Sequence, residues 1–410
     1  MAHKERSLSY TARQSIHQAA LSGTFWGAWA FGNFFTIYLQ KVGFTASDLG
    51  TLNAISSVVG IFSVSFWGTM CDRVRSVKKV ETFMLIVGNL LYALVPVVGK
   101  WLIMPASMFI FVPILNFFRA HTSTFNENLI VRNAAELRLN YGRVRAIGSL
   151  VFTIMSLAAT FILKYVDVAN SFWMTAVASI VPLILTITSY DPQGSQEKGA
   201  KESGEEKKGT KKGKLDIRPL LKCKPYLFFL GFAVLFYIAS SCEYAFIPYF
   251  MKDIGVGTAY YGVLNAYRGF LEIPFLIMMS KMREKISLKN MTILGTVLMA
   301  VECLGQCFFA RSLGTMILFA TFFGLGNGLF IGGAFNYVYE VAPEGLKASA
   351  HGFFMAVSQV AAIIGNLCGG FIYDRIGGRS YYFMTAMIYL GAALILLISS
   401  MIHSPKKQAA

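Results

Sequence analysis

The amino-acid sequence predicts an all-α integral membrane protein with twelve transmembrane helices in two six-helix bundles, and three observations carry that expectation. First, about twelve apolar stretches of roughly 20 residues run along the chain, each long enough to cross a ~30 Å hydrocarbon layer as a helix. Mean hydropathy is +0.55, and only 14% of residues are charged, well below the quarter or so of a soluble domain. Second, with the N-terminus inside, 28 of the 37 Lys and Arg fall at cytoplasmic ends and loops, 7 fall outside and 2 within spans. That is the asymmetry of the positive-inside rule, and it places both termini in the cytoplasm. Third, residues 191–216 (DPQGSQEKGAKESGEEKKGTKKGKLD) are almost devoid of apolar side chains. Such a segment cannot bury a core and reads as a flexible linker. The expected organisation is an N-terminal bundle over 1–190, a charged cytoplasmic linker over 191–218 and a C-terminal bundle over 219–410. The net charge of +16 is then mostly a topology signal. No zinc spacing and no basic helix with interleaved aromatics points to nucleic acid.

Helix 1 (15–40) follows Lys4, Arg6 and Arg13. Its apolar run is too long for a cleavable leader and is expected to be retained. Trp26, Trp29 and Tyr38 on it read as an aromatic wall, as interfacial anchors or as packing. Helix 2 (47–70) ends in Gly68, Asp72 and Arg73, with Gly68 permitting close helix approach and the charged pair able to cap neighbouring helix ends. Helix 3 spans 79–98. Helix 4 (102–126) carries Asn116, Arg119, Ser123, Asn126 and Glu127 on one face. Charges inside a span are costly and face a cavity or a partner, so this stripe either lines a substrate cavity or bonds neighbouring helices. Arg119 would take an anionic substrate or neutralise a carboxylate such as Glu127. His121, beside that face, reads as packing. Helix 5 (143–163) opens with Tyr141-Gly-Arg143-Val-Arg145 and continues through Ser149 and Phe152. Helix 6 spans 169–189, and Trp101 and Trp173 are membrane-belt anchors.

In the second half, helix 7 (225–250) holds Glu243, helix 8 (258–280) holds Arg268 and Glu272 ahead of Pro274, and helix 9 (290–310) holds Glu302. These are the carboxylates available to carry a proton, with Glu272 ranked first, Glu302 second and Glu243 third. Arg268 stands four residues before Glu272, the spacing of a bridge within one helix. Helices 10 (313–339) and 11 (348–372) are rich in glycine, which allows close approach. They also carry Asn327, Asn336, Gln359 and Asn366, uncharged groups able to bond a ligand. Helix 12 spans 380–402.

Several classes are excluded. No GxxxxGK[ST] loop occurs, and GTKKGK at 209–214 has the wrong spacing, so nucleotide-driven transport is not expected. The six cysteines show no pairing framework. There is no catalytic cluster and no metal-ligand set; an enzyme is not expected, nor any cofactor beyond a proton gradient.

The run from Gly68 through Asp72, Arg73 and Arg75 resembles the GxxxDRxGR loop of the major facilitator superfamily, with Arg75 where that family often has Gly. A second match, Gly370 to Arg379, lies on the outer face by this helix count and reads as a helix–helix turn. The segment from Glu127 through YGRVRAIGS to Phe152 resembles the lactose permease-like oligosaccharide:proton symporters. The resemblance implies that Glu127 and Arg145 bind sugar hydroxyls, that Phe152 replaces a stacking tryptophan, and that Ser149 is a small neighbour. The C-terminal half departs from that family. Helix 10 has Phe322 to Gly326 without His or carboxylate, Glu302 stands at the helix 9 arginine position, Ser358 and Gln359 stand at the helix 11 lysine, and Ala245 and Pro248 replace aspartates.

Together these imply a proton-coupled symporter, monomeric in the cell membrane, importing a small polar organic solute, foremost a sugar or oligosaccharide, by alternating access. Import of an aromatic or other organic acid or of a nucleoside is the alternative. Drug efflux and a non-transporting membrane sensor stand behind it.

Overall fold

The computed structural model describes residues 2–101, 106–139, 141–191, 218–344 and 346–402, and all regular structure among them is helical. In order these are α1 (Ala2–Gly32), α2 (Phe35–Lys41), α3 (Ala46–Val74), α4 (Val77–Trp101), α5 (Ala106–Arg119), α6 (Thr122–Glu136), α7 (Tyr141–Leu163), α8 (Asn170–Ala178) and α9 (Ile180–Thr188). After the expected linker, of which 192–217 lie outside the described residues, come α10 (Arg218–Lys222), α11 (Lys224–Asp253), α12 (Tyr261–Arg283), α13 (Leu288–Phe309), α14 (Leu313–Val341) and α15 (Lys347–Ile402). Eight stretches among the described residues are long and apolar enough to cross a membrane. One of them, Ser349–Ser399, is two helices merged, because Gly377 inside it has φ 73° and ψ 162°.

Three expected helices are interrupted. Helix 1 turns at Asn33 and Phe34, where i→i+3 bonds to Ala30 and Phe31 replace the α pattern. Helix 6 breaks at Ser179, because Pro182 has no N–H to offer the carbonyl of Ala178. Helix 4 breaks at Ala120 and His121, directly after Arg119, and runs on to Glu136 rather than ending at 126. At that break the Phe117 carbonyl accepts from Ser63 Oγ (2.6 Å) and Trp67 Nε1 (2.8 Å), so its backbone oxygen is satisfied from α3.

Packing groups the chain into two units, Met1–Val42 with Ile55–Lys211, and Gly43–Ala54 with Lys212–Ala410. The division differs from a plain split at the linker, because the first turns of α3 group with the second unit. In the first unit α1 lies close against α7. A Cβ at Gly27 would meet Val151 Cγ1 at 2.9 Å, and one at Gly148 would meet Ser22 Oγ at 2.5 Å and Trp26 Cδ1 at 2.9 Å. In the second unit α13 and α14 approach through facing glycines: a Cβ at Gly295 would lie 2.5 Å from the Gly326 carbonyl oxygen. The phenyl rings of Phe236 and Phe330 stack in its core at 3.7 Å and 10°.

The Gly370–Arg379 run makes the turn between the two helices merged in α15, with left-handed Gly377 as its pivot. Its Asp374 carboxylate accepts from the backbone N–H of Ser47 at 2.7 Å and of Ala46 at 3.3 Å. It therefore caps the start of α3, where an acidic group is favoured by the orphan N–H donors.

Candidate functional site

In the first unit, Glu127 on α6 is the centre of a cluster drawn from three helices. Its Oε1 accepts from Trp26 Nε1 at 2.9 Å and pairs with Arg145 Nε at 3.1 Å; its Oε2 accepts from the Tyr141 hydroxyl at 2.8 Å. Arg145 donates through Nη1 to Ser149 Oγ at 3.0 Å, and its guanidinium lies 4.6 Å from the centroid of the Trp26 ring. Phe152 meets Trp26 edge-on at 6.3 Å. The close approach at Gly148 is what lets α7 bring Arg145 onto Trp26 of α1. The pair is not sealed: the side chains are 21% and 35% exposed. A carboxylate has about four lone-pair sites and a guanidinium five N–H donors. The contacts above use three sites of Glu127 and two donors of Arg145, so both keep capacity for a ligand.

Arg119, at the end of α5, is apart from this pair. Its Nη1 donates to Asn89 Oδ1 at 2.7 Å, and its Cζ lies 4.1 Å from the Tyr92 ring centroid and 4.8 Å from that of Trp29. The carboxylate it was paired with in expectation, Glu127, is taken by Arg145. The helix break at Ala120 and His121 divides the expected polar stripe of helix 4 at this point. Ser123 is half-buried. Asn126 is fully buried with neither amide atom hydrogen-bonded among the described residues. His121 bonds the Gly60 carbonyl at 2.9 Å.

The second unit holds a buried ionic triad. Arg268 of α12 (3% exposed) reaches with Nη2 toward Glu243 of α11 and Glu302 of α13, both 0% exposed. Glu243 Oε1 stands at 2.9 Å, an ion-pair distance without hydrogen-bond alignment, and Glu302 Oε1 accepts directly. Tyr389 of α15 donates to Glu243 Oε2 at 3.3 Å, and Gln306 donates to Glu302 Oε1 at 3.1 Å. The Phe323 ring of α14 covers the guanidinium at 4.1 Å. Five helices thus meet in one buried cluster. Among the described residues Arg268 pairs with Glu243 and Glu302, while Glu272 one turn on accepts through Oε1 from Asn327 Nδ2 of α14 at 2.7 Å. With both carboxylates ionised, two of them on one guanidinium leave one formal negative charge in excess, which a single proton removes.

The remaining expected residues are placed simply. Gln359 is exposed. Asp72 and Arg73 are exposed in the last turn of α3, and a Cβ at Gly68 would meet nothing within 4 Å, so no close approach occurs there. Arg75, where the resembling loop has Gly, takes φ 51°, the left-handed region that explains the glycine elsewhere. Sequence reasoning missed Asn89, Tyr92, Gln306 and Tyr389 as partners. Asn89 was visible as a lone amide inside an apolar span. Tyr389 was not, because a tyrosine on an apolar helix carries no positional signal.

A family model described as the MFS_1 like family matches residues 26–384. The chain belongs to this family of major facilitator transporters. It is a multi-pass membrane transporter and not an enzyme. The MFS_1-like chain is 23% identical over 386 residues to the uncharacterized transporter YwbF of Bacillus subtilis (strain 168), covering 91% of this chain and 90% of that one. It is 21% identical over 379 residues to the maltose permease of Geobacillus stearothermophilus, covering 90% and 91%. Its fold is that of the nucleoside transporter NupG, with TM-score 0.77 and 16% identity over 96% of this chain and 99% of that one.

Proposed function

We propose that this transporter is a proton-coupled importer of a small hydroxyl-bearing organic solute, a sugar or short oligosaccharide. It works as a monomer in the cell membrane by alternating access through twelve crossings, with both termini cytoplasmic. The observation that carries the reading is the half-open Glu127–Arg145 pair beside Trp26 and Phe152. A hydroxyl both donates and accepts, so an acceptor and a donor held side by side match adjacent hydroxyls on a ring. The aromatic faces cover the apolar side of the same ring. Similarity to a maltose permease supports the solute class. The same faces would suit a nucleobase or an aromatic acid, which is the second reading.

Coupling is assigned to the Arg268–Glu243–Glu302 triad. Its excess negative charge is removed by one proton, and its five helices repack if the charge balance changes. Glu272, held by Asn327, is the next candidate. Asp72 and Arg73, at the cytoplasmic end of α3, are assigned a gating role rather than a part in binding.

The test is external pH in a weakly buffered, anaerobic suspension of expressing cells, pulsed in turn with sugars, nucleosides and aromatic acids. Alkalinisation by sugars, lost in Glu127→Gln, is the expected result. Alkalinisation by nucleosides or aromatic acids alone selects the second reading. No response to any pulse, together with protonophore-sensitive exclusion of dyes, would overturn import in favour of efflux.

A further inference from the structure

Arg119 is a buried charge that the Glu127 cluster leaves unexplained. It is 8% exposed, and no carboxylate among the described residues pairs with it; Asn89 and the rings of Trp29 and Tyr92 are its partners. Ring faces and one amide offset part of the cost of burying a guanidinium, but an unmatched charge in a low-dielectric interior remains expensive. The guanidinium lines a small cavity, shared with Phe25, Trp29, Asn89, Thr122 and Ser179, with space for about one water-sized occupant.

A guanidinium, an amide and hydroxyls give that cavity several donors. Arg119 has only N–H groups. Asn89 Oδ1 accepts from Arg119, and among the described residues no bond is seen from its NH2, which can donate. Thr122 spends its hydroxyl on the Arg119 carbonyl at 2.9 Å, so Ser179 supplies the hydroxyl. A water would accept from these groups without cancelling the charge. We propose that this cavity binds a small monatomic anion, a halide, held by Arg119, Asn89 and Ser179 against the Trp29 ring. Charge-assisted bonds from a guanidinium favour a halide over a neutral water. The cavity is too small for large hydrated anions. The assignment does not depend on the sugar reading of the Glu127 pair.

Trp29 makes the site observable. The purified full-length transporter, held at constant ionic strength in sodium gluconate, is titrated with bromide while tryptophan fluorescence is read. The expected result is a saturable quenching component above the linear collisional one, competed by chloride and lost in Trp29→Phe and in Arg119→Gln. Asn89→Ala should weaken the component roughly tenfold, since it removes one hydrogen bond to a charged group. It keeps the test decisive where Arg119→Gln fails to fold. Displacement by chloride but not by formate or acetate identifies an inorganic anion. Displacement by acetate as readily as by chloride overturns the halide assignment. Strictly linear quenching in the wild type, or a saturable component that survives both Trp29→Phe and Asn89→Ala, overturns the proposal.

Discussion

Arg268→Gln and Glu302→Gln remove opposite charges from one buried cluster, and the charge count of that cluster predicts opposite consequences for stability. Among the described residues Arg268 is the sole cation on two carboxylates that are 0% exposed. Deleting it strands both, and removing one partner of a buried ion pair costs about 3–5 kcal/mol. The contact with the Phe323 ring at 4.1 Å is lost too, worth about 1 kcal/mol or more in a desolvated site. For a cooperative unit of about 200 residues each kcal/mol moves Tm by roughly 2–4 °C, so Arg268→Gln should lower Tm by about 10–20 °C. Glu302→Gln instead leaves a one-to-one Arg268–Glu243 pair, and its amide oxygen still accepts from Arg268. Its Tm should stay within about 2 °C of wild type, while solute-driven proton uptake falls sharply. In the double variant the second substitution should restore part of the stability lost in the first, because one stranded carboxylate is fewer than two. Thiol-reactive dye unfolding suits the assay, since Cys242 and Cys303 are buried in this unit. Equal destabilisation by the two single variants would refute the excess-charge account, as would an Arg268→Gln protein as stable as wild type.

Three further outcomes are expected. Trp26→Phe keeps an aromatic ring against Phe152 but deletes the 2.9 Å bond to Glu127; for this partly exposed carboxylate the loss should raise the apparent KM for solute roughly tenfold with little change in Tm. Gly295→Val drives a side chain into the Gly326 carbonyl oxygen, 2.5 Å from the first added carbon. It should cost about 1–3 kcal/mol, read as a lower Tm. Gly377→Ala forces a Cβ into φ 73° and should cost about 1–2 kcal/mol in the same assay.

Much of this was legible in the sequence, and the physical reasons for success and failure are specific. The helical fold followed from apolar runs whose length the bilayer dictates. Glu127, Arg145, Ser149 and Phe152 came out together because they lie within one contiguous segment, where a short motif records their spacing. Arg268 did not yield to the same logic. Its near neighbour Glu272 was the obvious partner by helical spacing, but helix rotation about α12 aims the guanidinium at Glu243 and Glu302, 25 residues before it and 34 after it in sequence. Which way a helix turns its charged face depends on packing that no local pattern encodes. The break after Arg119 was hidden for a related reason. Ala120 and His121 include neither Gly nor Pro, and the interruption is supported by Ser63 and Trp67 of α3 rather than by residues of its own. The break at Ser179 was readable in principle from Pro182.

The Arg268 triad also has an electrical consequence. A charge that crosses the membrane field gains or loses about 2.3 kcal/mol per 100 mV. Under the proposed coupling, the protonated triad is neutral and feels no such force, whereas the proton-free triad carries one negative charge. An inside-negative potential therefore acts on the unloaded transporter, pushing its excess charge outward and resetting it for the next cycle. A cell with no pH difference, but holding 100 mV across its membrane, would still accumulate a neutral solute by a factor on the order of fifty.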